Sequence, residues 1–345
     1  MNRIIYRIEQ LPIYQNCMFN TKSAAISCTK GDVVLVQDMK TGLVYNSTFN
    51  PKLMEYNTDY QNEQAYSYVF KKHLDDVSNI ISRNFLGKRL LEIGCGKGYF
   101  LEHLQVLGFD INGIDPAYEG TNPNIIKSIF SPSLRVQSDG IILRHVLEHI
   151  PNPIDFLNTI KKFIQGKIYI EVPCFNWIRQ HNAWFDIYYE HVNYFCMTDF
   201  QRMFGTIHDA EYLFGGQYLA IVADIATLRI PQTTNNDLQI PTHNFLPNIK
   251  DEVLKPNTQT VVWGAASKGV IFTLILQRLG VNIDFAIDIN PFKQGKYLAG
   301  SGIKIYSPMD AMQILDTNTT IFVMNPNYLD EVKQLTDNKF KYIPI

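Results

Sequence analysis

The segment LLEIGCGKGYFLEHLQVLG, residues 90–108, limits the possible folds more than any other part of the chain. An apolar run around Glu92 reads as a strand. A turn with Gly94, Gly96 and Gly98 follows, and then an amphipathic helix begins. Glycines permit positive φ and let a ligand approach the backbone closely, while a helix start leaves N–H groups without partners in the helix. Seventeen residues after Gly98 a second strand, INGID, ends in Asp115, placed to accept hydrogen bonds from a ribose diol, with Pro116 next to it. Two cofactor classes share this plan, and a turn with no ligand is a third reading. A dinucleotide fingerprint wants G-x-G-x-x-G with the helix start facing a pyrophosphate. Here the third glycine comes one residue early and Tyr99 takes the last position. Glu92 would repel a pyrophosphate, but it can hold the ammonium of a methionine moiety.

The rest of the chain repeats this rhythm. Short apolar runs alternate with helical patterns from Arg89 onward (RLLEIG, INGID, GIILRHV, KIYIEV, YLAIVADI), which is the mark of an α/β fold with a largely parallel sheet. Ahead of them, alternating stretches such as DVVLVQDM and a helical pattern ending in DDVSNII suggest a small β-containing cap and a lead-in helix, residues 1–75. A Rossmann-like domain over 76–230 follows. The Pro- and Asn-rich stretch RIPQTTNNDLQIPTHNFLP then leads to a second, smaller α/β domain, 231–345, where TVVWGAASKG again reads as strand, glycine turn and helix.

Charge and cysteine content narrow the function classes. With 31 basic and 33 acidic residues and no Lys/Arg run longer than two, nothing points to a nucleic-acid partner. Apolar runs are strand-length and the N-terminus lacks a signal-peptide pattern, so a membrane partner is not expected and the expected compartment is the cytoplasm. Five cysteines without a CxxC give neither a disulfide framework nor a zinc ribbon, and no metal is expected.

The run E-x-G-x-G-x-G from Glu92 resembles motif I of the class I S-adenosylmethionine (SAM) methyltransferases, with Asp115 matching their acidic residue after the second strand. The resemblance implies SAM as cofactor, held by Glu92, Gly94, Gly96, Gly98, Asp115 and Pro116. His145, at the edge of the fourth strand, would stand beside it. HVLEH, residues 145–149, literally matches the H-x-x-E-H zinc-protease pattern. Those ligands need a regular helix, whereas GIILR reads as a buried strand entering a turn, with Pro151 and Pro153 close behind. A structural role or a place in the pocket wall is therefore expected for His145 and His149, not zinc. NPNY, residues 325–328, is read as a strand-to-turn transition.

DIYYEHVNYF, residues 186–195, sets a carboxylate and an imidazole among aromatic rings after the fifth strand, KIYIEVP. Taken with EVP before it and WGAASKG…DINPFKQGKYLAGSGIKIYSP after it, this cluster resembles the sugar C-methyltransferase family over roughly residues 55–345. The resemblance implies methylation of a carbon next to a ketone on a nucleotide-linked sugar. His191 would be the general base, Glu190 its orienting carboxylate, and Tyr188 the family tyrosine that helps to shape the site. Tyr189 stands where the family has a histidine and Asn193 where it has a serine, and both count as acceptor-side residues with Tyr60 and Asn62. The cap lacks the family's zinc cysteines, so it is expected to fold without metal. In the C-terminal domain Ser267, Lys268 and Lys293 are candidates to hold a nucleotide or phosphate, since a helix start favours anions. Competing readings are an O- or N-methyltransferase of the same architecture, an NAD-dependent oxidoreductase, and a non-catalytic SAM- or nucleotide-binding protein.

Overall fold

The computed structural model describes residues 2–54, 63–134, 136–234 and 258–345, which build three sheets. The strand Arg89–Ile93 lies inside the largest, parallel to Asp110–Ile114 on one side and to Gly140–Arg144 on the other. Ile125–Ile126 and Lys167–Pro173 extend it in parallel at either side, and the hairpin of Ile207–Leu213 and Tyr218–Asp224 completes it antiparallel. Leu90–Ile93, Gly140–Leu143 and Ile168–Val172 are buried without a break, as expected of strands covered on both faces. Strand order reverses between Arg89–Ile93 and Gly140–Arg144, and in open α/β sheets ligands bind at the strand carboxyl ends beside such a reversal. The glycine turn sits there.

The lead-in helix runs over Tyr68–Phe85 and starts where Ser67 Oγ accepts the N–H groups of Val69 and Phe70. Its buried residues, among them Phe70, Leu74, Val77, Ile81 and Phe85, recur three and four apart and pack in one cluster with Leu90, Ile142 and Tyr169 of the sheet.

Asn2–Pro12, Lys30–Asp38 and Val44–Asn46 form the cap, an antiparallel sheet. Its fourth strand is Asn193–Tyr194, which comes from the DIYYEHVNYF loop and pairs with Val44 and Tyr45. A segment of the middle region thus belongs to the first sheet. Val33–Gln37 is buried throughout, where its sequence suggested alternation. The third sheet is wholly parallel, in the order Ile305–Tyr306, Phe285–Ile287, Thr260–Trp263, Thr320–Val323, Lys341–Pro344. One hydrophobic cluster runs through all three sheets, from Leu11 and Leu35 through Leu143 and Phe195 to Phe272 and Phe322. Among the described residues no helix is long and apolar enough to cross a membrane.

Candidate active site

Gly94, Gly96 and Gly98 all take positive φ, +77°, +57° and +84°. A Cβ on Gly94 would stand 2.4 Å from Val146 Cγ2, while one on Gly96 would meet nothing within 4 Å. The turn is closed behind and open in front. The N–H of Gly96 donates to Asp115 Oδ2 (2.7 Å) and that of Ala117 to Asp115 Oδ1 (2.7 Å), which fixes the carboxylate at the turn's mouth, and Pro116 is the bridging residue. Burial raises the Asp115 pKa. Glu92, 2% exposed, has a carboxylate oxygen without a hydrogen-bond donor, and burial pushes its pKa up to about 7. An open glycine cradle and a buried carboxylate lacking a donor are what the aminoacyl end of SAM would fill.

The HVLEH segment is a 3₁₀ turn, Leu147–His149, after a strand, with His145 at a left-handed φ of 52°. His145, Glu148 and His149 of this segment line a cavity of about 220 Å³. Below it lies a buried charge cluster. Glu171, fully buried, takes His73 Nε2 (2.7 Å), Arg144 Nε (3.0 Å) and the Tyr169 hydroxyl (3.0 Å), with His145 Nε2 at 3.2 Å. Burial opposes its charge, but Arg144, His73 and His145 outweigh that and hold Glu171 well below the carboxylate range. Desolvation likewise opposes charge on His145, and its contacts with Glu148 and Glu171 lift it to about 9.

The DIYYEHVNYF cluster divides between cavity and cap. Tyr188 and His191 line the cavity, with the Tyr188 hydroxyl 2.7 Å from His191 Nε2. Burial, helped by His149, His145 and Lys268, keeps the His191 imidazole well below the ordinary histidine value and therefore neutral. Glu190 turns the other way. Its Oε1 accepts the N–H of Gln15 in the cap (2.5 Å), and its backbone carbonyl accepts His149 Nδ1–H (2.9 Å). The carboxylate gathered with His191 is that of Glu148, which with His149 offers ligand-type atoms all within 4.8 Å of one another. Tyr189 is plugged into the cap: its hydroxyl accepts the N–H of Asn50 (2.9 Å), and its ring fills the place a Cβ on Gly31 would need. Asn193 donates to the carbonyl oxygens of Ile150 (2.6 Å) and Leu147 (3.4 Å) and so clamps the turn that carries Glu148. Tyr60 and Asn62 lie outside the described residues.

The third sheet supplies the opposite wall. Ser267, Lys268 and Lys293 all line the cavity. Ser267 Oγ accepts from Asn16 Nδ2 of the cap (3.0 Å). Lys268 Nζ donates to Gln217 Oε1 (2.8 Å), stands 3.0 Å from Asp186 Oδ2 and lies over the Trp177 ring, so much of its charge is met by the protein itself. Lys293 Nζ is 3.7 Å from Asp288 Oδ2. Three regions of the chain thus meet around one space.

Residues 63–207 match the family described as Methyltransferase domain, and residues 237–341 match the C-methyltransferase C-terminal domain. The chain is a SAM-dependent methyltransferase. SAM is its methyl donor. This methyltransferase is 24% identical over 305 residues to the C-methyltransferase NovU of Streptomyces niveus, an alignment covering 74% of this chain and 72% of NovU. It is also 28% identical over 97 residues to the mitochondrial ubiquinone biosynthesis O-methyltransferase of Schizosaccharomyces pombe, covering 24% of this chain and 35% of that one. Among solved structures, the PH0226 protein of Pyrococcus horikoshii aligns with a TM-score of 0.39 at 13% identity over 49% of this chain and 99% of its own.

Several cavity residues of the methyltransferase were not singled out by the sequence reading. Asn325 and Tyr328 of NPNY line the cavity, and Asn325 exchanges hydrogen bonds with Gln217. The signal was present, since NPNY directly follows an apolar strand in a parallel sheet. Glu148 was visible too, but only as part of a zinc pattern set aside because the segment is not helical. Asn16 and Asp186 carry no local signal, because long-range packing brings them in.

Proposed function

We propose that this methyltransferase methylates a carbon next to a ketone on a nucleotide-linked sugar, with His191 as the proton acceptor. The carrying observation is the His191 imidazole in the cavity wall, hydrogen-bonded to Tyr188 and sharing that cavity with Ser267, Lys268 and Lys293 of the C-terminal domain. The C-methyltransferase C-terminal domain match supports carbon as the acceptor atom, and the resemblance around residues 186–195 supports the sugar. Bound SAM supplies an electrophilic methyl on a sulfonium. A carbon beside a ketone becomes a competent nucleophile only after losing a proton. The Tyr188 hydroxyl turns from Nε2 to the developing enolate oxygen, and the freed nitrogen takes the proton, a step worth ~10²–10⁴-fold when positioned by hydrogen bonds. Glu190 serves by holding the loop to Gln15 and His149. Ser267, Lys268 and Lys293 orient the polar end of the acceptor.

Incubating a panel of nucleotide-linked keto sugars with isotope-labelled SAM and reading the products by mass spectrometry tests the acceptor. The expected result is label on a carbon of one panel member. Label on oxygen or nitrogen of another small molecule would replace this reading with O- or N-methylation. His191→Ala is expected to lower turnover by about 10²–10⁴-fold while S-adenosylhomocysteine affinity stays within a few-fold. Undiminished turnover would remove His191 from the mechanism.

A further inference from the structure

We infer that Arg144 holds the α-carboxylate of SAM and, with Glu92 on the ammonium, clamps the amino-acid end of the donor as a zwitterion. Arg144 in this role depends on the donor lying against the glycine turn, and on neither the acceptor nor His191.

The two residues share one face of neighbouring strands. Glu92 stands opposite Ile142 in the parallel pair, and Arg144, two residues further along its strand, returns to the face of Ile142. Leu90, Ile142 and Phe100 pack in one cluster on that face. Phe100 is the second residue of the helix Tyr99–Val106, which begins at Gly98 of the glycine turn. The Arg144 guanidinium carbon lies 4.3 Å from the centre of the Phe100 ring. Strand register and this stacking together put the guanidinium beside the turn.

Each residue keeps one buried polar atom unmatched: Glu92 Oε2 has no donor and Arg144 Nη2 has no acceptor. The Arg144 side chain is 9% exposed and Glu92 2%. Arg144 Nε donates to Glu171 Oε2 (3.0 Å). A bidentate pair would bring Nη2 onto the other oxygen, but Glu171 Oε1 is taken by His73 Nε2 (2.7 Å) and faces His145 Nε2 at 3.2 Å. Glu171 thus orients the guanidinium without satisfying it. Glu92 and Arg144 do not close on each other's free atoms either, although burial raises the Glu92 pKa and the Arg144 charge pulls it back. Buried polar atoms cost free energy while unpaired. An amino-acid zwitterion supplies an acceptor for the guanidinium and a donor for the carboxylate in one group, whereas a plain anion would be repelled by Glu92 and a plain cation by Arg144.

Calorimetry on the full-length protein tests this with S-adenosylhomocysteine, its analogue without the carboxylate and its analogue without the amino group. The unmodified protein is expected to bind the carboxylate-free analogue about 10- to 100-fold more weakly than S-adenosylhomocysteine, the worth of a charge-assisted hydrogen bond. In Arg144→Gln that gap should shrink to within about threefold while the penalty for the missing amino group persists. Arg144→Lys, which keeps the charge but not the planar fork, should restore part of the gap. A purely structural role for Arg144 would weaken all three ligands alike and leave the gap intact. Because a variant can fail to fold, a crystal of the unmodified protein with S-adenosylhomocysteine provides a second reading, in which Arg144 Nη2 is expected about 3 Å from a carboxylate oxygen. A carboxylate held elsewhere, a gap within about twofold in the unmodified protein, or an undiminished gap in folded Arg144→Gln would each overturn the role of Arg144. Equal binding of the amino-free analogue would overturn the Glu92 contact and with it the clamp.

Discussion

Two places in the molecule are built on one backbone frame. At the donor turn the N–H of Gly94 donates to Ile114 O (2.8 Å), that of Gly96 to Asp115 Oδ2 (2.7 Å) and that of Ala117 to Asp115 Oδ1 (2.7 Å). In the C-terminal domain the N–H of Gly264 donates to Ile287 O (2.8 Å), that of Ala265 to Asp288 Oδ2 (2.7 Å) and that of Asn290 to Asp288 Oδ1 (2.8 Å). Each frame sits where its parallel sheet reverses strand order. What differs is the chemistry hung on the frame. Two residues before the first glycine, Glu92 stands in one and Val262 in the other. Gly96 opens the first turn and Gly98, packed under Ile125, continues it, whereas Ala266 and Lys268 follow Gly264 at the same offsets. In the second frame Gly269 permits tight packing instead, since a Cβ there would come within 1.9 Å of Gly264 O. One frame is prepared for a cation and close backbone approach. The other presents side chains.

Exchanging charge in one frame should leave the other untouched. The largest effect is expected at Glu92→Gln, which weakens S-adenosylhomocysteine binding by roughly 10- to 100-fold, the worth of a charge-assisted hydrogen bond. Calorimetry checks it, and unchanged affinity would mean that Glu92 does not hold the ammonium. Asp288→Asn is expected to weaken binding of a nucleoside diphosphate or its sugar conjugate about tenfold with S-adenosylhomocysteine affinity preserved. If the donor site weakens instead, the two frames are not separate. The smallest effect concerns pH. Glu92 is neutral below about 7 and charged above it, so donor-site affinity should rise several-fold between pH 6 and 8 and then level off. Glu92→Gln should flatten that rise; a slope that persists in the variant belongs to another group.

The glycine turn and its contact with Asp115 were legible because their constraints are local. A positive-φ turn needs glycine, a ribose diol needs an acceptor at the end of the next strand, and both fall within 24 residues of Glu92. The α/β fold was legible for the same reason, as unbroken apolar runs announce doubly covered strands. The DIYYEHVNYF cluster was half legible. Tyr188 and His191 reach the cavity, but Tyr189 and Glu190 are the central pair of a turn closed by the His191 N–H on Tyr188 O (3.3 Å), and that turn carries both of them into the cap. Pairing of Asn193–Tyr194 with the cap joins residues about 150 apart and leaves no periodic trace. Glu148 replaces Glu190 beside His191 for the same reason: the spatial neighbour comes from another strand end.

The fourth strand of the cap has a practical consequence. Removing the first fifty residues would not simply uncover the enzyme. It would strip the backbone partners from the loop bearing His191 and leave that loop an unpaired edge. Proteolytic nicking near the N-terminus would then register as inactivation, although the glycine turn and Asp115 survived the cut.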